Sequence, residues 1–418
     1  MKKFEKYKNE YLLALNNELS LDEACYLIHG VKASEYLFAP RPQIWLHKYK
    51  KYQFVKFFIP IIKIFMLFGG WSVFLIEVIK YWNLFVDRSL KDRMDAVAIA
   101  FSEISYDIII SNRHLLNVST LTWVNFPWNS NDEISSGNDV NIYSLLSKLE
   151  VLGIFIYSIK IFYSESLKYK GRYILQYYTV MRWLLVRHAL SKIDANLYIS
   201  TEHFDRWAIL LDCCIKNKSA GGREFRSVIF QHGILKTLDQ DGKKYVGEFQ
   251  FHLPSKLEMV TEIFAYDADS VSVFKEHIIS HNVSTIIKYH VIPPRKFTVQ
   301  NDSALQSQER IVILFVGHPM CIEQQKKIYN ELSKGVFVYY KPHPTTKITS
   351  DILNVGWRVI NEKDYFPEVD FLISYPSTLV REYHSIGIDA IVHPLNADSI
   401  ELSECISSVL KRIGNDEK

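Results

Sequence analysis

The sequence predicts an α/β fold built as two domains, and three observations carry that prediction. From about residue 195 onward, short apolar runs alternate with helical patterns, which is the signature of βα units assembling into parallel sheets. A chain of 418 residues exceeds what one ordinary core serves. The polar, weakly patterned stretch 295–310, entered through Pro293-Pro294, reads as an interdomain linker. The expected division is an N-terminal Rossmann-like domain over 1–298, carrying a helical elaboration at about 50–190, and a C-terminal Rossmann-like domain over 299–418.

With 48% hydrophobic and 14% aromatic residues the chain can bury a sizeable core. Its net charge of +3 is too small to argue for nucleic acid. Cys25, Cys213, Cys214, Cys321 and Cys405 show no CxxC spacing, so reduced thiols are expected. The opening Met1-Lys2-Lys3-Phe4-Glu5 leads into no apolar signal core, which points to the cytoplasm.

Residues 1–50 mix helix-forming and basic residues, and Leu19-Ser20-Leu21-Asp22-Glu23 suggests a capped helix start. Residues 54–86 are strongly apolar, but Lys56, Lys63, Glu77 and Lys80 interrupt them too early for the roughly 20 apolar residues of a spanning helix. Gly69-Gly70 weakens any helix there. A helix or hairpin in the membrane interface, a buried core element and a true span all stay open. A helix is expected over 92–105, a short strand over 107–111 and a loop over 129–141. Residues 142–190 place Lys160, Lys168, Lys170, Arg172, Arg182 and Arg187 among aromatics on helices, suiting an anionic membrane or a solvated basic face equally.

Strands are then expected at 197–200, 227–230, 262–265 and 287–292, with helices over 206–216 and from Asp267 to 279. In the second domain strands fall at 311–316, 336–340, 357–360, 371–373 and 390–393, and helices at 321–332, after Ser377 and over 399–413. Right-handed crossovers put the carboxyl ends of such strands along one ligand-binding edge.

The chemistry-bearing residues gather at those ends. Lys341-Pro342-His343-Pro344 follows an apolar strand, and two prolines hold an imidazole between them beside a lysine. Ser377 and Thr378 open a helix whose N-terminal amides favour a phosphate, although a plain N-cap explains Ser377 as well. Glu382, farther along that helix, has the reach for ribose hydroxyls. Gly317 and His318 leave the first strand of the second domain, and Glu202, His203 and Arg206 follow the strand at Leu197; structural roles are favoured for His318 and for these three. His232 ends a strand of the first domain in Phe230-Gln231-His232-Gly233. A division of labour follows, with His232 taking a proton from an acceptor hydroxyl and His343 stabilising leaving phosphate charge. No HExxH, P-loop, GxSxG or clustered Cys/His pattern occurs, so neither a metal nor a further cofactor is expected.

Tyr340-Lys341-Pro342-His343-Pro344, together with the segment from Asp370 through Ser374-Tyr375-Pro376-Ser377-Thr378 to Glu382, resembles the donor-binding half of GT-B glycosyltransferases. The closer resemblance is to bacterial capsule and teichoic-acid transferases: CDP-glycerol glycerophosphotransferases, polysialyltransferases and Kdo transferases. It covers about 227–413. The resemblance implies two Rossmann-like domains with a cleft between them, a cytidine-nucleotide donor, and donor-phosphate contacts from His343, Ser377 and Thr378. Phe230-Gln231-His232-Gly233 is similar to the segment carrying that group's proposed catalytic histidine, with Gln231 in place of tryptophan. The pair Ser377-Thr378 stands where the group has two serines, and no acidic Asp/Glu-Gly motif is present. The expected activity is metal-independent transfer of a sugar, from a CMP-sugar donor, to a hydroxyl of a surface or lipid-linked glycan at the inner membrane face. Glycerol phosphate transfer, sugar-nucleotide epimerisation and a non-catalytic partner protein are the alternatives.

Overall fold

In the computed structural model the described residues are 2–28, 32–42, 57–90, 93–128, 139–233, 235, 238–240, 243–245, 253–292, 298–300, 310–332, 335–343, 346, 348–362, 365–395 and 397–416. They form two compact units, one of residues 1–232 with 251–292 and the other of 233–250 with 293–418. The break at 292/293 falls beside the proline pair, and 233–250 groups with the second unit.

The first unit contains a seven-stranded sheet in the order β3-β2-β1-β4-β5-β8-β9, parallel throughout. Its strands are β1 (Met94–Ile99), β2 (Leu121–Asn125), β3 (Asp139–Asn141), β4 (Ala195–Ser200), β5 (Arg226–Phe230), β8 (Glu262–Ala265) and β9 (Lys288–Val291). The chain moves outward from β1 to β3 and returns to β4, so the strand order reverses between β1 and β4. Between β5 and β8, β6 (Leu238–Gln240) and β7 (Lys243–Tyr245) pair as an antiparallel hairpin.

Residues 92–105 hold β1, and the helix is Glu103–Asn112, so the expected helix and strand exchange places. Met94-Asp95-Ala96-Val97-Ala98-Ile99 reads as helix because alanine is the best helix former. Paired on both sides, however, the run buries Ala96, Val97, Ala98 and Ile99 completely, and central-strand packing overrides propensity. The N-terminal helix runs unbroken over Lys2–Ile28, so Ser20 lies inside it and not at a helix start. It docks through Glu10 to Arg187 at 2.7 Å, Glu18 to Arg206, and Asn17 to the Ser255 backbone at 2.8 Å.

The apolar run is two helices, Phe58–Gly69 and Trp71–Tyr81. Gly70 allows the contact with helix Lys148–Lys168, since a Cβ there would lie 2.5 Å from the Phe162 ring. Among the described residues no single helix is long and apolar enough to cross a membrane. The pair Phe58–Gly69 and Trp71–Leu84 meets length and composition together, but is bent by 67°.

The second unit carries the sheet β12-β11-β10-β13-β14, also parallel. Its strands are β10 (Ile311–Val316), β11 (Val336–Lys341), β12 (Arg358–Val359), β13 (Phe371–Ser374) and β14 (Ala390–Val392). Helices Ile322–Asn330 and Ser399–Asp416 pack on one face, closing a core around Phe315, Tyr340, Trp357 and Ile373. Both units are therefore parallel α/β structures, as the alternating pattern predicts.

Candidate functional site

Pairing register brings three strand ends of the second unit to one level. Val316 lies opposite Lys341 on one side and Ser374 on the other, so Gly317-His318, Pro342-His343 and Tyr375 emerge side by side. This is where the strand order reverses, the usual ligand edge of an open parallel sheet. The His318 ring sits 5.0 Å from that of His343, edge to face, and 5.0 Å from that of Tyr375. His318 Nδ1 accepts the Met320 N–H at 3.1 Å, which places the proton of the neutral ring on Nε2. Burial lowers the pKa of His343, so its imidazole is neutral at pH 7.

Ser377 is buried and occupies the N-cap position of helix Thr378–His384, yet its hydroxyl caps no backbone N–H. It lies instead 3.1 Å from the Ser374 hydroxyl, which donates to the Tyr375 carbonyl at 2.6 Å. Ser374 thus accepts from Ser377. The plain N-cap explanation fails for Ser377, and the two hydroxyls form a linked pair on β13's end. Thr378 is exposed in the helix's first turn, and Glu382 is half-exposed on the same helix.

Two other expected residues have local explanations. The Lys341 ammonium donates to the Glu362 and Tyr365 carbonyls at 3.0 and 2.9 Å and lies 4.4 Å from the Phe366 ring centre, anchoring a loop. A Cβ on Gly317 would meet the Tyr340 hydroxyl at 2.2 Å, so packing against Tyr340 demands the glycine. Pro344 lies outside the described residues.

In the first unit, Ile99, Ser200 and Ile229 lie level across β1, β4 and β5. The segments that leave these strands carry Ser102, Thr201-Glu202-His203 and Gln231-His232. His232 Nδ1 lies 2.6 Å from the Thr201 carbonyl, which only accepts, so Nδ1 carries hydrogen and Nε2 keeps its lone pair. Gln231 is fully buried, donating to Ser270 Oγ at 3.1 Å and accepting the Tyr266 N–H at 2.8 Å, so it fastens β5's end to β8 and its helix. Gly233 has φ +70 with open space around its Cβ position, so backbone conformation selects it.

Sequence reasoning missed a polar network at the β1/β4 reversal. Thr201 Oγ1 lies 2.7 Å from Ser105 Oγ, which is 2.8 Å from Ser102 Oγ and donates to Glu202 at 3.3 Å. Burial pushes the Glu202 and Asp205 carboxyls up, Asp205 further through the Glu202 charge, and the two are hydrogen-bonded to each other. The signal was Phe101-Ser102 following an apolar run, hidden once that run read as helix. Arg206 pairs with Glu18 and so ties two helices together. His393, at β14's end, was also missed; it is buried with Gln325 at 3.1 Å. Among the described residues no group of three or more His, Cys, Asp and Glu is placed to hold a metal.

Fold and strand-edge chemistry together define a two-unit α/β protein with polar edges at the strand-order reversals. No protein-family model and no curated protein matches the sequence. Solved structures it is similar to include the wall teichoic acid polymerase TagF soaked with CDPG, at 9% identity and a TM-score of 0.35, over 83% of this chain and 90% of that one. An α,α-trehalose-phosphate synthase (UDP-forming) from Burkholderia vietnamiensis aligns at 10% identity and a TM-score of 0.36, over 76% and 91%. A UDP-glucosyltransferase from Polygonum tinctorium aligns at 12% identity and a TM-score of 0.35, over 77% and 84%.

Proposed function

We propose that the protein is a metal-independent glycosyltransferase of GT-B type. It moves a sugar from a nucleotide donor, a CMP-sugar, to a hydroxyl of a bacterial surface glycan such as capsule or O-antigen. The observation that carries this reading is the convergence of His318, His343 and the Ser374–Ser377 hydroxyl pair at the order reversal of the second unit's sheet. Neutral imidazoles and hydroxyls at such an edge suit donor phosphate, and the motif resemblance favours cytidine. His232 Nε2, with its lone pair free of the ring proton, takes the acceptor hydroxyl's proton. The acceptor oxygen bonds to the sugar's anomeric carbon as the bond to phosphate oxygen breaks, and the leaving phosphate keeps that electron pair. Donation from His318 Nε2–H and His343, and from Ser377 once its hydroxyl turns from Ser374 to the phosphate, would stabilise its charge.

A thermal-shift screen with CMP, CDP, UDP and GDP tests the donor. Cytidine nucleotides are expected to stabilise the protein, by about 2.7 kcal/mol at a hundred times Kd, and His343→Ala to weaken the effect at least tenfold in concentration. Stabilisation by UDP alone removes the cytidine assignment. An unchanged response in His343→Ala removes the phosphate role.

A further inference from the structure

His203 is only 2% exposed, and its ring lies 4.3 Å from that of His232 at 22°, stacked face to face. Its Nε2 accepts the backbone N–H of His232 at 3.0 Å. The hydrogen of neutral His203 therefore sits on Nδ1, a buried atom with no hydrogen-bond partner among the described residues. Phe274 closes on the ring edge to face at 5.6 Å. Burial, and then the neighbouring His232, hold the pKa of His203 well below the ordinary histidine value, so it stays neutral.

We propose that His203 is a positioning residue that holds His232 as its Nδ1–H tautomer, leaving Nε2 bare. Two anchors act together. The Thr201 carbonyl takes the Nδ1 hydrogen, and His203, two residues further along the same strand end, fixes the backbone of His232 and supports its ring. Which ring nitrogen carries the proton is set by the hydrogen bond the other one makes. Free histidine favours the Nε2–H form, the wrong one for a base acting through Nε2. A neutral imidazole beneath His232 also takes no proton from it and adds no repelling charge when His232 becomes imidazolium.

The proposal rests on the reading of His232 as the base, and the test separates the two. The full-length protein is labelled with ¹⁵N-histidine and the ring nitrogens of His232 are assigned by difference from His232→Gln. His203→Gln keeps an acceptor oxygen near the Nε2 position, whereas His203→Asn reaches only the Nδ1 position. Long-range ¹H–¹⁵N spectra are expected to show a single Nδ1–H tautomer in the wild type and in His203→Gln, and loss of that single form in His203→Asn. A folded His203→Asn that keeps the pure Nδ1–H tautomer overturns the proposal, as does a wild type showing Nε2–H. If His203→Asn does not fold, tautomer loss in His203→Gln overturns the acceptor argument, and retention supports it. Whether His232 is the base is read separately: turnover surviving in His232→Gln removes the base and leaves the tautomer result standing.

Discussion

At the scale of single residues, the chain keeps several histidines neutral by burying them. His393 is the clearest case, since its pKa is lowered to about 4 by burial, opposed by the hydrogen bond from Nδ1–H to the Pro394 carbonyl. Its Nε2 accepts from Gln325, whose amide also donates to the Val316 carbonyl at 2.9 Å, tying β14's end to β10. The folded pKa is depressed below the unfolded value near 6.5, so the unfolded chain binds the proton more tightly. The associated stability is fully present above about pH 6.5 and is lost as pH falls towards 4. Between pH 7 and pH 5 the second unit should lose about 2 kcal/mol through this group. His393→Gln should flatten that dependence, as measured by urea unfolding at the two pH values with Trp357 fluorescence as the probe. An unchanged slope with pH would assign the loss to other groups of the second unit, half-buried His343 being the next candidate.

Among elements, the glycine that ends β10 shows how one sequence signal serves two readings. Gly317-His318 after an apolar strand looks like a phosphate-approach turn, but Tyr340 fills the space where a Cβ would stand. That ring is itself stacked on Trp357 at 4.3 Å and 12°, and cannot yield. Gly317→Ala should therefore destabilise the second unit by about 1–3 kcal/mol. Nucleotide affinity at a temperature where the variant is folded should stay within a few fold of wild type. Normal stability with lost affinity would return Gly317 to the donor edge. The same limit explains what was legible in the sequence. Strands β4, β5 and β8 to β14 were readable because most are short apolar runs and all are bounded by turn or polar residues. Strand β1 was not, because alanine favours helix and only its two parallel neighbours decide otherwise. Strand β2 was not marked, and β3 lies at the end of the stretch 129–141 that reads as a loop from its Asn, Ser, Asp and Gly content, whose residues 129–138 lie outside the described ones; pairing with β2 makes 139–141 a strand. With β1 misread the β1/β4 edge could not be seen. That His343 and Ser377 follow strand ends was legible from prolines and hydroxyls next to an obvious strand. The Ser374–Ser377 pairing and the His203–His232 stack depend on side-chain directions that no local pattern encodes.

For the whole molecule, the surface feature needing an occupant is the apolar helix Phe58–Gly69. Phe58, Ile61, Ile64, Phe65 and Phe68 are each more than half exposed, up to 74% at Phe68, and Trp71 follows at 40%. Isolated exposed apolar residues are ordinary, but a helix showing this many in sequence is not. The Lys63 stem lies against Gly171, in a turn where Lys168, Lys170 and Arg172 are exposed beside Tyr169 and Leu167. Apolar side chains beside cationic ones and a tyrosine suit the interface of an anionic bilayer, with the helix lying in the plane and lysines at the headgroups. On the proposed function, such a surface would keep the protein beside a lipid-linked acceptor. Each basic residue near an anionic surface adds about 1 kcal/mol and is screened by salt. Sedimentation with vesicles of phosphatidylglycerol and phosphatidylcholine should therefore show binding that falls with added salt, and weaker binding to phosphatidylcholine alone. Ile61→Glu with Phe65→Glu, both at exposed positions, should weaken binding at least tenfold while leaving the thermal response to cytidine nucleotides intact. If the double variant binds vesicles as well as wild type, the helix is not the contact. If the wild type ignores vesicles and self-associates in a way the variant abolishes, the apolar face belongs to a second copy of the chain instead.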